Sequence, residues 1–475
     1  MSAPATSTAT ASSALAPVLA ALDTLVAAGV HHDGLFPSIL DRSTGAMPFT
    51  CPPPIDGQRE CDRAFPGSNL QHDHVVLRLL LDLDPHVPGK GYATAARRYL
   101  DRFASHCTTL PTGFFPWGEH LFWNLAEDRL GSSYALARVN TMATHDHLLQ
   151  APVWLWDELW ARNPAAVERF GIALRRHFLD VDGTPAFNRH ANALDPRPKR
   201  TRGARSCDFP RHTGFYSLDW AYLLVRTGSP EFARLLRTAL DYWWERRQPG
   251  LPLREETSSG DAPSVLVGSQ TLSLGVSLLE VAQVLAPSHG ELAAIARERG
   301  LAYVQSFLAL PHDLVANRFI NRVTATDQHS AGDMVAWGNR YGDGVLAATY
   351  ALLLLAADRL APDPAQRRFA VAVAEHLAAT IDQAPATLSV RDAGQYLALL
   401  CELHAHTGEA RWLMLWEAAA TRFTADFLAG GPLPRIARGV DHYESQQLPG
   451  HLLRALARGA LQRGGVDLGG DVTLR

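Results

Sequence analysis

The chain has 475 residues, of which 47% are hydrophobic and 19% charged, and its formal net charge is −4. This composition is typical of a soluble globular protein with a large core, and it excludes a disordered or globally basic chain. No apolar run reaches the roughly 20 residues that a membrane span needs. We therefore expect neither nucleic acid nor membrane among the partners of this protein, and the oligomeric state stays open.

The N-terminal segment and the cysteines bear on location. Residues 1–14 are rich in Ala, Ser and Thr and carry no basic residue, so we expect a disordered lead rather than a secretory signal. The five cysteines are odd in number and scattered, which does not predict a disulfide framework. The sequence therefore predicts a reducing, cytoplasmic setting.

From residue 15 onward helical spacing dominates, and two kinds of helix alternate. One kind is apolar on nearly all sides, as buried helices are, and its members begin near residues 71, 144, 213, 269, 342, 390 and 446. The other kind is amphipathic and rich in arginine, with members that begin near residues 16, 92, 165, 230, 291 and 364. Signals for β-strands are nearly absent.

This alternation predicts helical hairpins that close into a ring, with the apolar helices on the inside. The expected fold class is all-α, an (α/α) toroid or barrel of six to seven hairpins, with residues 15–475 as a single catalytic domain. The main alternative is an open superhelical array that serves as a non-enzymatic scaffold for partner peptides. No sequence motif recurs in the way that such arrays require.

In such a ring the loops that enter the inner helices converge at one end. Two His-Asp-His motifs, starting at His72 and His145, lie at the predicted starts of inner helices, and Glu119 with His120 lies between them. Several imidazoles and a carboxylate at one rim predict a site for a divalent metal ion such as Mn or Zn. We expect no organic cofactor.

Two Arg-His pairs, Arg189-His190 and Arg211-His212, are flanked by aromatic residues. The guanidinium group binds carboxylates through two parallel hydrogen bonds. β-Elimination on a uronic acid needs such a group, because the substrate carboxylate must be neutralised before a base removes the adjacent proton. We therefore expect an anionic oligosaccharide, held or deprotonated by the arginines and His212, with Tyr216 and either histidine as the metal-free alternative.

Other polar and aromatic residues of the predicted rim are candidates for substrate binding. Tryptophan rings offer a flat apolar face on which a sugar can pack, with a polar N–H at the edge. The predicted substrate contacts are Trp117, Asn188, Trp337, Arg340 and Tyr341.

Hydrolysis on the same fold is the second enzymatic interpretation, either by an unsaturated uronyl hydrolase or by an inverting glycosidase. It requires two opposed carboxylates, for which Asp146 and Asp333 are the candidates. Elimination creates a conjugated double bond that absorbs in the ultraviolet, and hydrolysis does not, so one assay separates the two reactions.

With this ring and the pairs Arg189-His190 and Arg211-His212, the chain resembles the toroid-fold carbohydrate-active enzymes. Within that group it is most similar to polysaccharide lyase family 2, the intracellular pectate lyases. The resemblance implies a barrel of seven hairpins, a transition metal held by histidines and a glutamate, and an arginine base directly before a ligand histidine.

Carried onto this sequence, the resemblance makes Arg211 the base and His212 a metal ligand, with the pair Arg189-His190 as the competing placement. It makes Glu119 the ligand carboxylate. The remaining ligand histidine is then His120 or His145.

Overall fold

The computed structural model of the chain describes residues 7–136, 142–146, 149–181, 184–195, 197, 207–257, 265–338 and 345–470. Helices account for most of these residues. In chain order they are α1 (Ser7–Val30), α2 (Leu70–Leu83), α3 (Tyr92–Arg102), α4 (Ser133–Leu136), α5 (Val153–Arg162), α6 (Pro164–Leu174), α7 (Pro210–Thr227), α8 (Pro230–Arg246), α9 (Gly268–Leu285), α10 (Gly290–Leu308), α11 (Ala347–Leu360), α12 (Pro364–Thr380), α13 (Val390–Thr407), α14 (Ala410–Phe427) and α15 (Pro449–Gln462).

Seven of these helices form the inner wall of a ring, namely α2, α5, α7, α9, α11, α13 and α15, and nearly every residue of α7 and α9 is buried. Along the wall α7 packs against α9, α9 against α11, α11 against α13 and α13 against α15. Helix α15 then packs against α2 and closes the ring, which distinguishes a toroid from an open array. The predicted fold class is therefore confirmed.

Helix α5 completes the wall between α2 and α7 through aromatic side chains. The Trp154 ring lies 6.5 Å from the His74 ring of α2, measured between centroids. The Trp156 indole donates a hydrogen bond of 2.8 Å to Asp219 of α7. The buried Asp219 thus links α7 to α5 within the inner wall.

The outer layer consists of α1, α3, α6, α8, α10, α12 and α14, each paired with an inner helix. Local sequence explains several helix ends. The Asn69 side chain accepts a hydrogen bond from the backbone N–H of Gln71 and caps α2. Gly228 and Gly408, in the left-handed conformation, end α7 and α13.

All inner helices begin at the same end of the ring, here called the mouth, and short strands join the loops there. The strands are β1 (Ile39–Asp41), β2 (Gly67–Ser68), β3 (Leu121–Asn124), β4 (Arg129–Ser132), β5 (Thr144–His145), β6 (Phe178–Val181), β7 (Thr184–Phe187), β8 (Ala191–Asn192), β9 (Cys207–Asp208), β10 (Glu256–Thr257), β11 (Val265–Val267), β12 (Ile320–Thr324), β13 (Ser330–Asp333) and β14 (His442–Glu444). They form six small antiparallel sheets, and β1 pairs with β14 across most of the sequence.

Two features of the chain ends and surface bear on the sequence predictions. Helix α1 begins at Ser7, inside the segment 1–14 that we expected to be a disordered lead. Among the described residues, no helix combines the length and the apolar character that crossing a lipid bilayer requires.

Candidate active site at the mouth of the ring

Pairing of β5 with β8 brings two candidate residues from distant parts of the chain together. In this ladder Thr144 pairs with Asn192 and His145 with Ala191. Continuing the register by one residue places Asp146 opposite His190. A two-residue ladder thus joins the second His-Asp-His motif to the first Arg-His pair.

The sheet formed by β2, β3 and β4 positions Glu119 and His120, which directly precede β3. The His120 ring stacks on Tyr134, with 3.9 Å between ring centroids. Its Nδ1 lies 2.9 Å from the carbonyl oxygen of Cys61. A carbonyl only accepts hydrogen bonds, so Nδ1 carries the proton, and in the neutral ring Nε2 offers a lone pair.

Two overlapping groups of side chains have the donor set of a metal site. One nitrogen or oxygen from each of His120, Asp146 and His190 lies within 4.8 Å of the others, and the same holds for Asp62, Glu119 and His120. Both groups mix imidazole with carboxylate, the ligand types that Mn, Zn, Fe and Ni accept.

Unsatisfied polar atoms at this point support the same interpretation. Oε2 of Glu119, Nε2 of His120 and Oδ2 of Asp146 are buried, and none has a hydrogen-bond partner among the described residues. Nε2 of His120 lies 3.4 Å from Oε2 of Glu119. Buried polar atoms nearly always have a partner, so three together fit the binding of a cation.

Backbone geometry at Gly118 allows Asp146 to approach this closely. Gly118 has a φ of +98°, and an added Cβ atom would lie 2.5 Å from Oδ1 of Asp146 and closer still to its carbonyl oxygen. The same Oδ1 accepts a hydrogen bond of 2.8 Å from the backbone N–H of Glu119. A residue with a side chain at position 118 would therefore push Asp146 away from the cluster.

Burial and charge move the pKa values of the two carboxyl groups in opposite directions. Burial raises the pKa of Asp146 to about 6, although His120 counteracts part of this effect. Burial also acts on Glu119, but the positive charges of His120, Arg189 and Arg59 outweigh it and hold the pKa of Glu119 below its usual value. Glu119 is therefore ionised near neutral pH.

Two arginines lie beside Glu119, and a third shares an aromatic ring with one of them. Arg59 donates a hydrogen bond of 2.8 Å to Glu119 and one of 2.7 Å to Asp62. Nη1 of Arg189 lies 3.7 Å from Oε2 of Glu119. The guanidinium groups of Arg189 and Arg211 lie over the ring of Phe209, at 5.2 and 5.7 Å from its centroid. Both arginines of the Arg-His pairs thus converge on one aromatic ring.

The sheet of β9 and β10 lies beside Arg189 and Arg211. Asp208 pairs with Glu256, which places Phe209 opposite Glu255. Burial raises the pKa of Glu255, while the charges of Arg322, Arg211 and Arg189 lower it. The mouth therefore offers cationic groups with partly compensating carboxylates.

His72, from the first His-Asp-His motif, lies in the same region. Both of its ring nitrogens are buried and have no hydrogen-bond partner among the described residues. Burial lowers the pKa of His72 to about 3, and the charges of Glu444 and Glu119 act on it in the opposite direction. His72 is therefore neutral at physiological pH.

The predicted site residues fall into two sets. The structure brings together Glu119, His120, Arg189, His190 and Arg211. It does not bring His145 to the candidate metal ligands, because the His145 ring lies in the core. There its Nδ1 is 3.0 Å from Nε2 of His177, and its Nε2 accepts a hydrogen bond from Trp117.

Two other predicted catalytic residues, His212 and Tyr216, are buried in the core. His212 is fully buried between Phe209 and Phe215, with both centroids at 5.7 Å, and it is in neither of the two candidate sets of metal ligands among the described residues. Tyr216 is fully buried and stacks on His177 at 5.0 Å.

Most predicted substrate contacts that the structure describes serve packing. Trp117 is fully buried against Trp156 and other aromatic rings. Trp337 packs edge-on against Tyr396. The buried Asn188 side chain accepts a hydrogen bond from the backbone N–H of His190 and so supports the site indirectly.

The remaining predicted residues are separate from the cluster or lie outside the described chain. Arg340 and Tyr341 belong to the residues that the structure does not describe. Asp333, the predicted partner of Asp146 in hydrolysis, hydrogen-bonds instead with Arg318 and Ser330 on an exposed hairpin.

Sequence reasoning missed several residues of the mouth. They are Arg59, Asp62, Tyr134, Phe209 and Glu255. A usable signal was the charged segment around Arg59 and Asp62 that follows a Pro-rich loop. For Phe209 the signal was its place two residues before Arg211, whereas Tyr134 and Glu255 depend on contacts between distant segments, which leave no local pattern.

No protein-family model matches the chain, and no curated protein has significant sequence similarity to it. Among solved structures, an alpha-1,2-mannosidase from Trichoderma reesei is similar, with a TM-score of 0.54, 14% identity, and coverage of 94% of this chain and 93% of that one. A D-mannose isomerase has a TM-score of 0.47 at 10% identity, covering 97% of this chain and 100% of its own. A cellobiose 2-epimerase from Spirochaeta thermophila has a TM-score of 0.42 at 16% identity, covering 65% and 83%. The likeness to the mannosidase agrees with the (α/α) barrel and concerns the fold alone.

Proposed function

We propose that this protein is a carbohydrate-active enzyme, and specifically a lyase that cleaves a uronic-acid oligosaccharide by β-elimination at the mouth of the ring. The observation that carries the proposal is the group of His120, Asp146 and His190, with ligand atoms within 4.8 Å of one another, next to Arg189. The similar mannosidase acts on a carbohydrate, which supports a carbohydrate substrate in general.

The metal-binding part of the proposal assigns His120, Asp146 and His190 as ligands, with Glu119 as a further carboxylate. The three buried atoms without hydrogen-bond partners fit such an ion. When bound, a divalent cation supplies positive charge that stabilises the enolate-like carboxylate of the transition state. The protein itself fixes the donors: the Cys61 carbonyl orients His120, and the Glu119 N–H orients Asp146.

The arginines take two roles in the proposed reaction. Arg211, over one side of the Phe209 ring, binds the substrate carboxylate and makes the adjacent carbon more acidic. Arg189 directly precedes the ligand His190, the place that the resemblance to family 2 lyases gives to the base. We assign the base to Arg189 rather than Arg211, because His190 and not His212 belongs to the proposed metal-binding group. Arg189, in its deprotonated form, takes the proton next to the carboxylate, the glycosidic C–O bond on the adjacent carbon breaks, and water protonates the leaving oxygen.

The test is an assay of a panel of uronate polymers for ultraviolet-absorbing products, with and without chelator. The lyase proposal expects an absorbing product from at least one polymer and loss of that product after chelation. A panel that yields no absorbing product, with metal present, would contradict it.

Glycoside hydrolysis is the second candidate, because Glu119 and Asp146 present two carboxyl groups at the same mouth with pKa values moved apart. A hydrolase releases new reducing ends without an absorbing product. Measuring reducing ends in the same reactions therefore separates the two candidates, and a chelator-insensitive hydrolysis would favour this second one.

A further inference from the structure

A cavity of about 320 Å³ reaches the far ends of two inner helices, α9 and α11. Its lining includes Glu280 near the end of α9, Arg359 near the end of α11, Trp154 near the start of α5, and Gly470 of the C-terminal segment. Gln270, near the first turn of α9, contacts the backbone of Arg211 at the mouth. Glu280 is ten residues further along the helix, which corresponds to about 15 Å.

The polar side chains of the lining are held in place by hydrogen bonds within the protein. The Gln150 side chain donates a hydrogen bond of 2.6 Å to Glu280 and accepts one of 2.6 Å from Ser277. Arg359 donates to Glu402 at 2.9 Å and to the carbonyl oxygen of Gly470 at 2.7 Å. Both charged groups that line the cavity therefore already have partners within the protein.

One donor in the lining is not satisfied. Nε1 of Trp154 is buried and has no hydrogen-bond partner among the described residues. An indole N–H is a donor only, so an acceptor from a ligand would satisfy it. The lining also includes apolar residues, namely Leu218, Val284 and Ala356.

We propose that this cavity binds a neutral monosaccharide, at a site separate from the mouth. A pyranose presents a C–H face, which suits the apolar residues of the lining, and an edge of hydroxyl groups, which suits Trp154, Gln150 and Glu280. The volume lies at the lower end of the range for small-molecule sites. An anionic ligand is disfavoured because Arg359 already pairs with Glu402. The inference rests on the lining of the cavity and not on the reaction at the mouth.

The experiment is isothermal titration of the intact protein with D-glucose, D-mannose and D-galactose. Trp154→Phe keeps the aromatic ring but removes the donor, and we expect it to weaken binding about 2- to 10-fold, the usual value of one neutral hydrogen bond. Ala356→Met fills part of the cavity without removing a polar group, and it should weaken binding as well. Thermal unfolding confirms that each variant is folded.

The control is Arg189→Gln, which alters the mouth and should leave sugar binding to the cavity unchanged. If none of the three sugars binds, if both cavity variants bind like the wild type, or if only Arg189→Gln weakens binding, the inference is overturned. Failure of the proposed reaction would appear separately, as an absence of product from uronate polymers while the sugar titration stays positive.

Discussion

Replacing Gly118 by alanine tests the assembly of the mouth at its tightest point. The added Cβ atom would lie 2.5 Å from Oδ1 of Asp146, whereas Cβ atoms essentially never come within 3.0 Å of another heavy atom. The Asp146 carboxylate must therefore move by at least 0.5 Å, the difference between these two distances. The carbonyl oxygen of Asp146 is closer still, so its backbone moves too.

A displacement of this size at a positioned group costs roughly 10- to 100-fold in kcat/KM, since 1 Å misplacements cost about 100-fold. We expect Gly118→Ala to lower kcat/KM on the best substrate of the polymer panel by this factor. Bound metal, measured by elemental analysis after dialysis, should fall in parallel, because Asp146 is one of the proposed ligands.

The matched control is Gly89→Ala. Gly89 has a similar φ of +88° but nothing within 4 Å of the added Cβ, so this variant reproduces the backbone strain alone. Gly118→Ala should lose more stability than Gly89→Ala in thermal unfolding because it adds the clash with Asp146, and only Gly118→Ala should lose activity and metal. Wild-type activity and metal content in Gly118→Ala would refute the placement of Asp146 in the site.

Three further predictions concern single residues. Arg189→Lys replaces the proposed base by an amine that cannot occupy the position of the planar guanidine, so kcat should fall at least about 10-fold, and near-normal turnover would remove Arg189 from this role. His190→Ala should lower the bound metal measured by elemental analysis while His212→Ala should not, and the reverse result would return the ligand role to the second Arg-His pair. Burial raises the pKa of Asp73 to about 7, above an unfolded value near 4. The folded state therefore binds the proton more tightly than the unfolded state. The free energy of unfolding should fall as pH rises through this window, by up to about 4 kcal/mol. Asp73→Asn should lack this pH dependence of the free energy of unfolding, measured by denaturant titrations on either side of the window. Equal pH slopes in both proteins would contradict the prediction. Any contribution from His72 is present in both proteins and cancels in the comparison.

The helical part of the fold could be predicted because burial imposes a pattern on each helix. The starts expected near residues 269 and 390 agree with Gly268 and Val390, where apolar sequence is continuous and the helices are buried on nearly all sides. The start expected near residue 144 is late, at Val153. Pro152 disfavours helical backbone at the preceding residue, and Thr144 and His145 form a strand instead.

The strands and the exact composition of the site could not be predicted. Strands of two to five residues are too short to show alternation, yet the pairing of His145 with Ala191 is what brings Asp146 to His190. Likewise, nothing local distinguishes His120 from His145. Nε2 of His120 lies 3.4 Å from Glu119, whereas His145 stacks on Phe114 in the core, because of contacts with residues distant in sequence.

Closure of the ring by α15 against α2 has a consequence for how the protein loses its structure. In an open stack of hairpins a terminal unit can detach while the rest stays folded. Here the last hairpin also packs against the first, and β14 pairs with β1. Detaching either end would therefore expose buried side chains on both of the helices beside it. Unfolding should therefore be a single cooperative event without fraying from the termini.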